Sequence, residues 1–145
     1  MSVVLKGWVR YTRRVKKSVR LLLADDTEIV RRAILQVVAE VCEGVQVVGE
    51  AKDYGELMRM AADVNADIVL MDMNMPSDAP VEPDVLKARM APACLLAMSA
   101  WFDDETAERA RECGAAELLD KTKLGETLQP AIERCLGAKG SAAAR

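Results

Sequence analysis

The sequence predicts an α/β fold: a three-layer αβα sandwich around a five-stranded parallel sheet. Two patterns predict it. Short apolar runs recur after residue 18, and amphipathic stretches of helical period separate them. The runs are continuously apolar rather than alternating, as strands are when helices cover both faces of their sheet. Strands joined through helices in this way form βαβ units, which makes the sheet parallel.

The elements follow in order. "VRLLLAD" (19–25) is the first strand. Residues 28–42 form a helix, with Val30, Ile34, Val37, Val38 and Val41 on one face. "VQVVGEA" (45–51) is the second strand. "DYGE" (53–56) opens the next helix as a capping box, with Asp53 as cap and Glu56 three positions on. "DIVLMD" (67–72) is the third strand. Pro76, Pro80, Pro83 and Pro92 bracket a short helix near 84–90, and "ACLLAMS" (93–99) is the fourth strand. A helix over 104–113 stops at Gly114. "AAELLDK" (115–121) holds the fifth strand, and residues 124–136 form the last helix, which Pro130 should kink or confine to a late start.

The 145 residues suit one domain. With 51% hydrophobic and 30% charged residues, the chain is globular rather than disordered. No apolar run approaches the roughly 20 residues of a membrane helix, and Lys6 and Gly7 interrupt the apolar start of any signal peptide. The expected location is the cytoplasm. Cys42, Cys94, Cys113 and Cys135 form no CxxC pair and read as small buried thiols rather than a zinc site or a redox pair. The absence of histidine removes histidine-based acid–base and phosphohistidine chemistry from this chain.

Charge is uneven along the chain. Residues 1–20 carry seven Lys or Arg and no acid, while the rest carries 13 basic and 23 acidic residues. An acidic body argues against a nucleic-acid footprint on the domain. In the leader, residues 1–18, Val4, Trp8, Tyr11 and Val15 could line one face of a basic amphipathic helix suited to a membrane surface or an acidic partner. Gly7 weakens that pattern, and a leader outside the domain is the favoured reading. The domain is placed at 19–137, with a flexible tail at 138–145.

Polar residues gather where the strands end. Strand one runs into Asp25 and Asp26, strand three into Asp72, strand four into Ser99 and strand five into Lys121. In a parallel sheet these carboxyl ends share one edge, where such folds place their functional crevice. Three carboxylates there repel, by roughly 4 kcal/mol per pair 4 Å apart at an effective dielectric near 20. Lys121 offers one positive charge against them. A hard divalent cation fits the remainder, and a set of oxygens without sulfur or imidazole favours magnesium, with manganese as the substitute. A carboxylate can also act as a nucleophile and form an aspartyl phosphate. Phosphoryl transfer needs cations and hydrogen-bond donors around the moving group, which Lys121 and Ser99 can supply.

"VRLLLADDTEIVRRAILQVV", "VQVVGEAKDYGEL", "ADIVLMDMNMP", "CLLAMSA" and "GAAELLDK", in this order, resemble the receiver domains of two-component response regulators. The resemblance covers about residues 19–136 and is nearest to the receivers of LuxR-type regulators. It implies a flavodoxin-like doubly wound sheet in strand order 2-1-3-4-5. It also implies that Asp72 accepts a phosphoryl group from a sensor histidine kinase or phosphotransfer protein. Asp26 and the backbone carbonyl of Asn74 would hold magnesium directly, Asp25 largely through water, and Asp72 would complete the site. Ser99 and Lys121 would meet the phosphoryl group. Such a domain is a phosphorylation-controlled switch rather than an enzyme, and phosphorylation could also strengthen a homodimer through the fourth helix, fifth strand and fifth helix.

Some positions depart from the family's pattern. Leu118 stands where an aromatic residue is common, Thr122 follows the lysine in place of Pro or Asp, and the segment after "MNMP" is about a turn short. Trp101 would sit over the mouth of the site, although Trp101 and Phe102 read first as packing residues. The alternative function is an atypical receiver working as a phosphorylation-independent interaction module. A haloacid-dehalogenase-like phosphatase fits less well, because its Asp-x-Asp motif would need a second acid where Asn74 stands.

Overall fold

The structure, a computed structural model, describes residues 18–77 and 80–143, with side chains only as far as residue 137. The expected leader therefore lies outside the described residues, apart from Ser18. The strands are β1 (Val19–Ala24), β2 (Val45–Ala51), β3 (Ile68–Asp72), β4 (Cys94–Ser99) and β5 (Glu117–Asp120). The helices are α1 (Glu28–Val41), α2 (Tyr54–Asp63), α3 (Pro83–Met90), α4 (Asp104–Glu112) and α5 (Leu124–Ala143). All strand pairs are parallel and run β2-β1-β3-β4-β5, the expected order. The order reverses between β1 and β3, so the crevice opens where Asp25 and Asp72 emerge.

Strand alternation divides the core in two. Leu21, Leu23, Ile68, Leu70, Leu96 and Met98 point to one face, where Ile34 and Val38 of α1 and Leu128 and Ile132 of α5 cover them. Leu22, Ala24, Val69, Met71, Leu95 and Ala97 point to the other, beneath Leu57, Leu86 and Ala110 of α2, α3 and α4. This two-sided burial is why the strands read as unbroken apolar runs.

The capping box holds on one side and shifts on the other. Asp53 accepts from the Glu56 amide at 2.7 Å, but Glu56 reaches back to the Lys52 N–H at 3.1 Å rather than to that of Asp53. Gly114 ends α4 at φ +87°, and a Cβ there would lie 2.8 Å from Lys87 Cγ, so both backbone and space favour glycine.

Three expectations are corrected. First, α5 starts at Leu124 and passes through Pro130, extending over the expected tail as far as Ala143. Pro130 is exposed, so the Glu126 carbonyl that it leaves without a helical donor can turn to water. Meanwhile Leu124, Leu128, Ala131, Ile132 and Cys135 hold the inner stripe down. Second, Cys94 and Cys135 form a disulfide, with Cα atoms 6.1 Å apart. The start of β4 and the inner face of α5 bring together two cysteines 41 positions apart. Cys42 and Cys113 are the buried free thiols expected. Third, Trp101 and Phe102 do not pack inside: they are 68% and 61% exposed. The chain turns outward after Ser99, before Asp103 caps α4 by accepting from the Thr106 amide at 2.7 Å.

Candidate functional site

Each predicted residue is positioned by the strand before it. Asp25 follows β1 and is fully buried. Its Oδ1 accepts from the Thr27 N–H at 2.9 Å and its backbone carbonyl accepts from Arg31 Nη1 at 2.7 Å, which fixes the turn into α1. Asp72 closes β3 and is 2% exposed. Its Oδ1 accepts from the Asn74 N–H at 3.0 Å and its backbone carbonyl accepts from the Tyr54 hydroxyl at 3.2 Å. Asp26 is exposed and makes no hydrogen bond or ion pair among the described residues.

Lys121 enters from the far side of the crevice. Its Nζ stands 2.6 Å from Asp25 Oδ2 and 3.3 Å from Asp72 Oδ2. A single 3-10 turn (Lys121–Lys123) carries it. Asp120 caps that turn, accepting from the Thr122 amide at 2.9 Å and its hydroxyl at 2.7 Å. Thr122, which departs from the family's pattern, thus helps to anchor the lysine turn.

Ser99 is fully buried at the end of β4. Its Oγ accepts from Asn74 Nδ2 at 3.1 Å and from the Trp101 N–H at 2.9 Å. Leu118 lies beside Ala97 in the β4–β5 register and packs against the core beneath α2, α3 and α4, so an aliphatic side chain fills this part of β5.

The carboxylates of Asp25, Asp26 and Asp72 each place an oxygen within 4.8 Å of the others. Burial pushes the Asp72 carboxyl above its usual range, and the charge of Asp25 adds to this, while the Asn74 amide and Lys121 oppose it. Burial alone would lower Lys121, but its bond with Asp25 and the charges of Asp72 and Asp25 outweigh that and raise it. Burial, and then the neighbouring Asp72 charge, push the Tyr54 phenol up to about 12, so it remains a donor.

The donor set fits magnesium. It offers only oxygens, and Asp26 has no competing partner among the described residues. Their 4.8 Å spread lies a small side-chain adjustment from the about 4.2 Å between opposite ligands of magnesium. The structure therefore brings Asp25, Asp26, Asp72 and Lys121 into one crevice and links Ser99 to it through Asn74. Sequence reasoning did not anticipate Tyr54, Arg31 or Arg109, whose Nη1 donates to the Met73 carbonyl at 3.4 Å. Side chains that hold backbone carbonyls leave no spacing signal.

A doubly wound sheet with acids at its switch point and a lysine opposite belongs to the class of α/β domains whose functional crevice lies at the carboxyl ends of the strands. The chain belongs to the response regulator receiver domain family of two-component signalling, whose model matches residues 21–133. The transcriptional regulatory protein PdtaR of Mycobacterium tuberculosis is 33% identical over 116 residues, 79% of this chain and 55% of PdtaR. The transcriptional regulatory protein LiaR of Bacillus subtilis is 30% identical over 115 residues, 79% of this chain and 54% of LiaR. The chain thus spans about half the length of the curated relatives it matches. Among solved structures, a LuxR-family two-component response regulator from Aurantimonas aligns with TM-score 0.72 and 30% identity, covering 84% of this chain and 87% of its own. The response regulator domain of Thermotoga maritima CheB aligns with TM-score 0.70 at 23% identity, over 83% of this chain and 98% of its own, a likeness of fold.

Receiver domains bind magnesium at an acidic cluster, interact with histidine kinases or phosphotransfer proteins, and are switches rather than classical enzymes. No helix among the described residues is long and apolar enough to cross a membrane.

Proposed function

We propose that Asp72 is the phosphoacceptor of a magnesium-dependent switch. The observation that carries this reading is the meeting of the Asp25, Asp26 and Asp72 oxygens within 4.8 Å, with Lys121 Nζ 3.3 Å from Asp72. An Asp72 oxygen attacks the phosphorus of a phosphohistidine on a partner kinase or phosphotransfer protein. The P–N bond breaks, and the electron pair leaves with the histidine nitrogen. The Asn74 amide fixes the orientation of the carboxylate, and Lys121 places its charge beside the incoming phosphoryl oxygens. Ser99 leaves Asn74 to donate its hydroxyl to the new group. Asp25, Asp26, Asp72 and the Asn74 carbonyl would hold the magnesium ion, which when bound offsets negative charge on the phosphoryl oxygens.

The buried Asp72 carboxylate has a defined position and a nearby cation, which favours the phosphoacceptor over the interaction module. Acetyl phosphate with magnesium should add one phosphoryl group by intact mass, and Asp72→Asn should remove the addition. An unmodified wild-type chain under these conditions would favour the interaction module instead. Downstream, the phosphorylated domain pairs with a second copy through α4, β5 and α5. Sedimentation with and without a phosphoryl mimic tests this pairing, and an unchanged mass rejects it. The cytoplasm is the compartment where such a kinase partner is met, and the acidic body gives the domain no footprint on nucleic acid.

A further inference from the structure

A second concave site lies on the opposite side of Asp72 from α1. A cavity of about 450 Å³ opens between α2, the chain after β3, α3 and the end of α4. Its volume falls in the range of small-molecule sites. Met73, Met75 and Leu86 form its buried apolar floor, and Val81 adds to one wall. Methionine walls adapt their shape to an apolar guest. Its polar lining residues include Ser77, Tyr54 and Arg109, and two of these, the Tyr54 phenol and the Arg109 guanidinium, bond to the backbone at the end of β3. Arg109 is the only charged residue among those described as lining the cavity, and it has no carboxylate within ion-pair distance among the described residues.

We propose that this cavity binds a small amphipathic carboxylate, its apolar tail on Met73, Met75 and Leu86 and its carboxylate on Arg109. An apolar floor selects the tail, and a guanidinium with no carboxylate partner among the described residues selects an anion. A volume of about 450 Å³ suits a free acid rather than an extended peptide.

The two polar groups also connect the cavity to the acidic crevice. Tyr54 donates to the backbone carbonyl of Asp72, and Arg109 donates to that of Met73, the next residue. A carboxylate that draws Arg109 to itself competes with the Met73 carbonyl for the guanidinium. Occupancy of the cavity therefore changes the restraint on the backbone that carries Asp72. This coupling rests on the phosphoacceptor reading of Asp72, whereas binding itself does not.

Titration calorimetry of the full chain with octanoate, and with its uncharged analogue octanamide, tests the site. Octanoate should bind saturably at one site, more tightly than octanamide. Arg109→Gln, a change on the exposed face of α4, should weaken octanoate roughly fivefold or more and leave octanamide unchanged. Val81→Trp, which adds bulk at the partly exposed wall, should weaken both. No saturable octanoate binding, or equal binding by Arg109→Gln, overturns the proposal. An apolar peptide with a free C-terminus that binds more tightly than octanoate also overturns it and assigns the cavity to a protein partner. Acetyl phosphate labelling, followed by mass with and without octanoate, reads the coupling separately. Binding with an unchanged labelling rate rejects the coupling, and absence of any label points to failure of the Asp72 reading instead.

Discussion

The side-chain amide of Asn74 donates to the hydroxyl oxygen of Ser99 at 3.1 Å, joining the turn after β3 to the end of β4. The Trp101 N–H donates to the same oxygen at 2.9 Å. The buried hydroxyl is thus tied to Asn74 before any phosphoryl group arrives.

Breaking this tie should ease the switch. A hydrogen bond of this kind contributes about 0.5–1.5 kcal/mol net. Asn74→Ala, which keeps the backbone carbonyl and amide, should therefore raise the rate of acetyl phosphate labelling roughly two- to tenfold, because Ser99 can turn without losing that bond. Ser99→Ala should remove the hydroxyl's contribution and make the two substitutions non-additive. Labelling time courses by mass spectrometry on the four variants of the cycle measure the effect, and strict additivity would sever the link.

Asp72 is held at a cost to the fold. Its carboxyl is raised above its unfolded value because burial disfavours the charge. A group raised in this way contributes stability below its unfolded value, near pH 4, and loses it as pH rises through the folded value. At neutral pH without divalent ions, Asp72→Asn should melt at a higher temperature than the wild type. The advantage should shrink as pH is lowered through the folded value of Asp72 toward pH 4. Thermal melts across that range, read by circular dichroism, decide the sign, and a lower melting temperature for Asp72→Asn at pH 7 would contradict it.

Lys121 is the cation that two buried carboxylates share. Lys121→Met leaves Asp25 and Asp72 facing each other with no ammonium. The expected loss is about 2–4 kcal/mol, toward the low end for a broken buried pair because Lys121 keeps some contact with water. Magnesium should restore part of it in proportion to the logarithm of its concentration over the dissociation constant. Denaturant unfolding with and without magnesium measures both changes. A fully stable variant that ignores magnesium would show that the acids do not act as one site.

Much of this was legible in the sequence because it is written locally. Apolar runs mark β1 to β5, and acids at their ends mark the crevice, so the order of elements and the meeting of Asp25, Asp26, Asp72 and Lys121 followed from topology. What escaped depends on contacts between distant elements. Pro130 reads as a helix breaker, yet the buried stripe of Leu128, Ala131 and Ile132 outweighs one lost backbone bond. The aromatic character of Trp101 and Phe102 suggested burial, but the outward turn after Ser99 decides their exposure. Tyr54 and Arg109 escaped because backbone carbonyls accept from any donor that the fold delivers.

The disulfide is the clearest tertiary event and supports a direct test. Cys94 opens β4 and Cys135 lies on the buried face of α5, with 41 positions between them. Closing a loop of that length restricts the unfolded chain and stabilises the fold by about 3–4 kcal/mol on the chain-entropy account. Peptide mapping without reductant should recover one linked pair, Cys94 with Cys135, and leave Cys42 and Cys113 open to alkylation after unfolding. Reduction should lower the melting temperature, as should Cys135→Ser, and reductant should have no further effect on that variant. The acidic crevice sits at the other end of β4, so acetyl phosphate labelling of the reduced wild type should continue below its melting temperature. A reduced chain that melts as before would show that α5 is held by its apolar stripe alone.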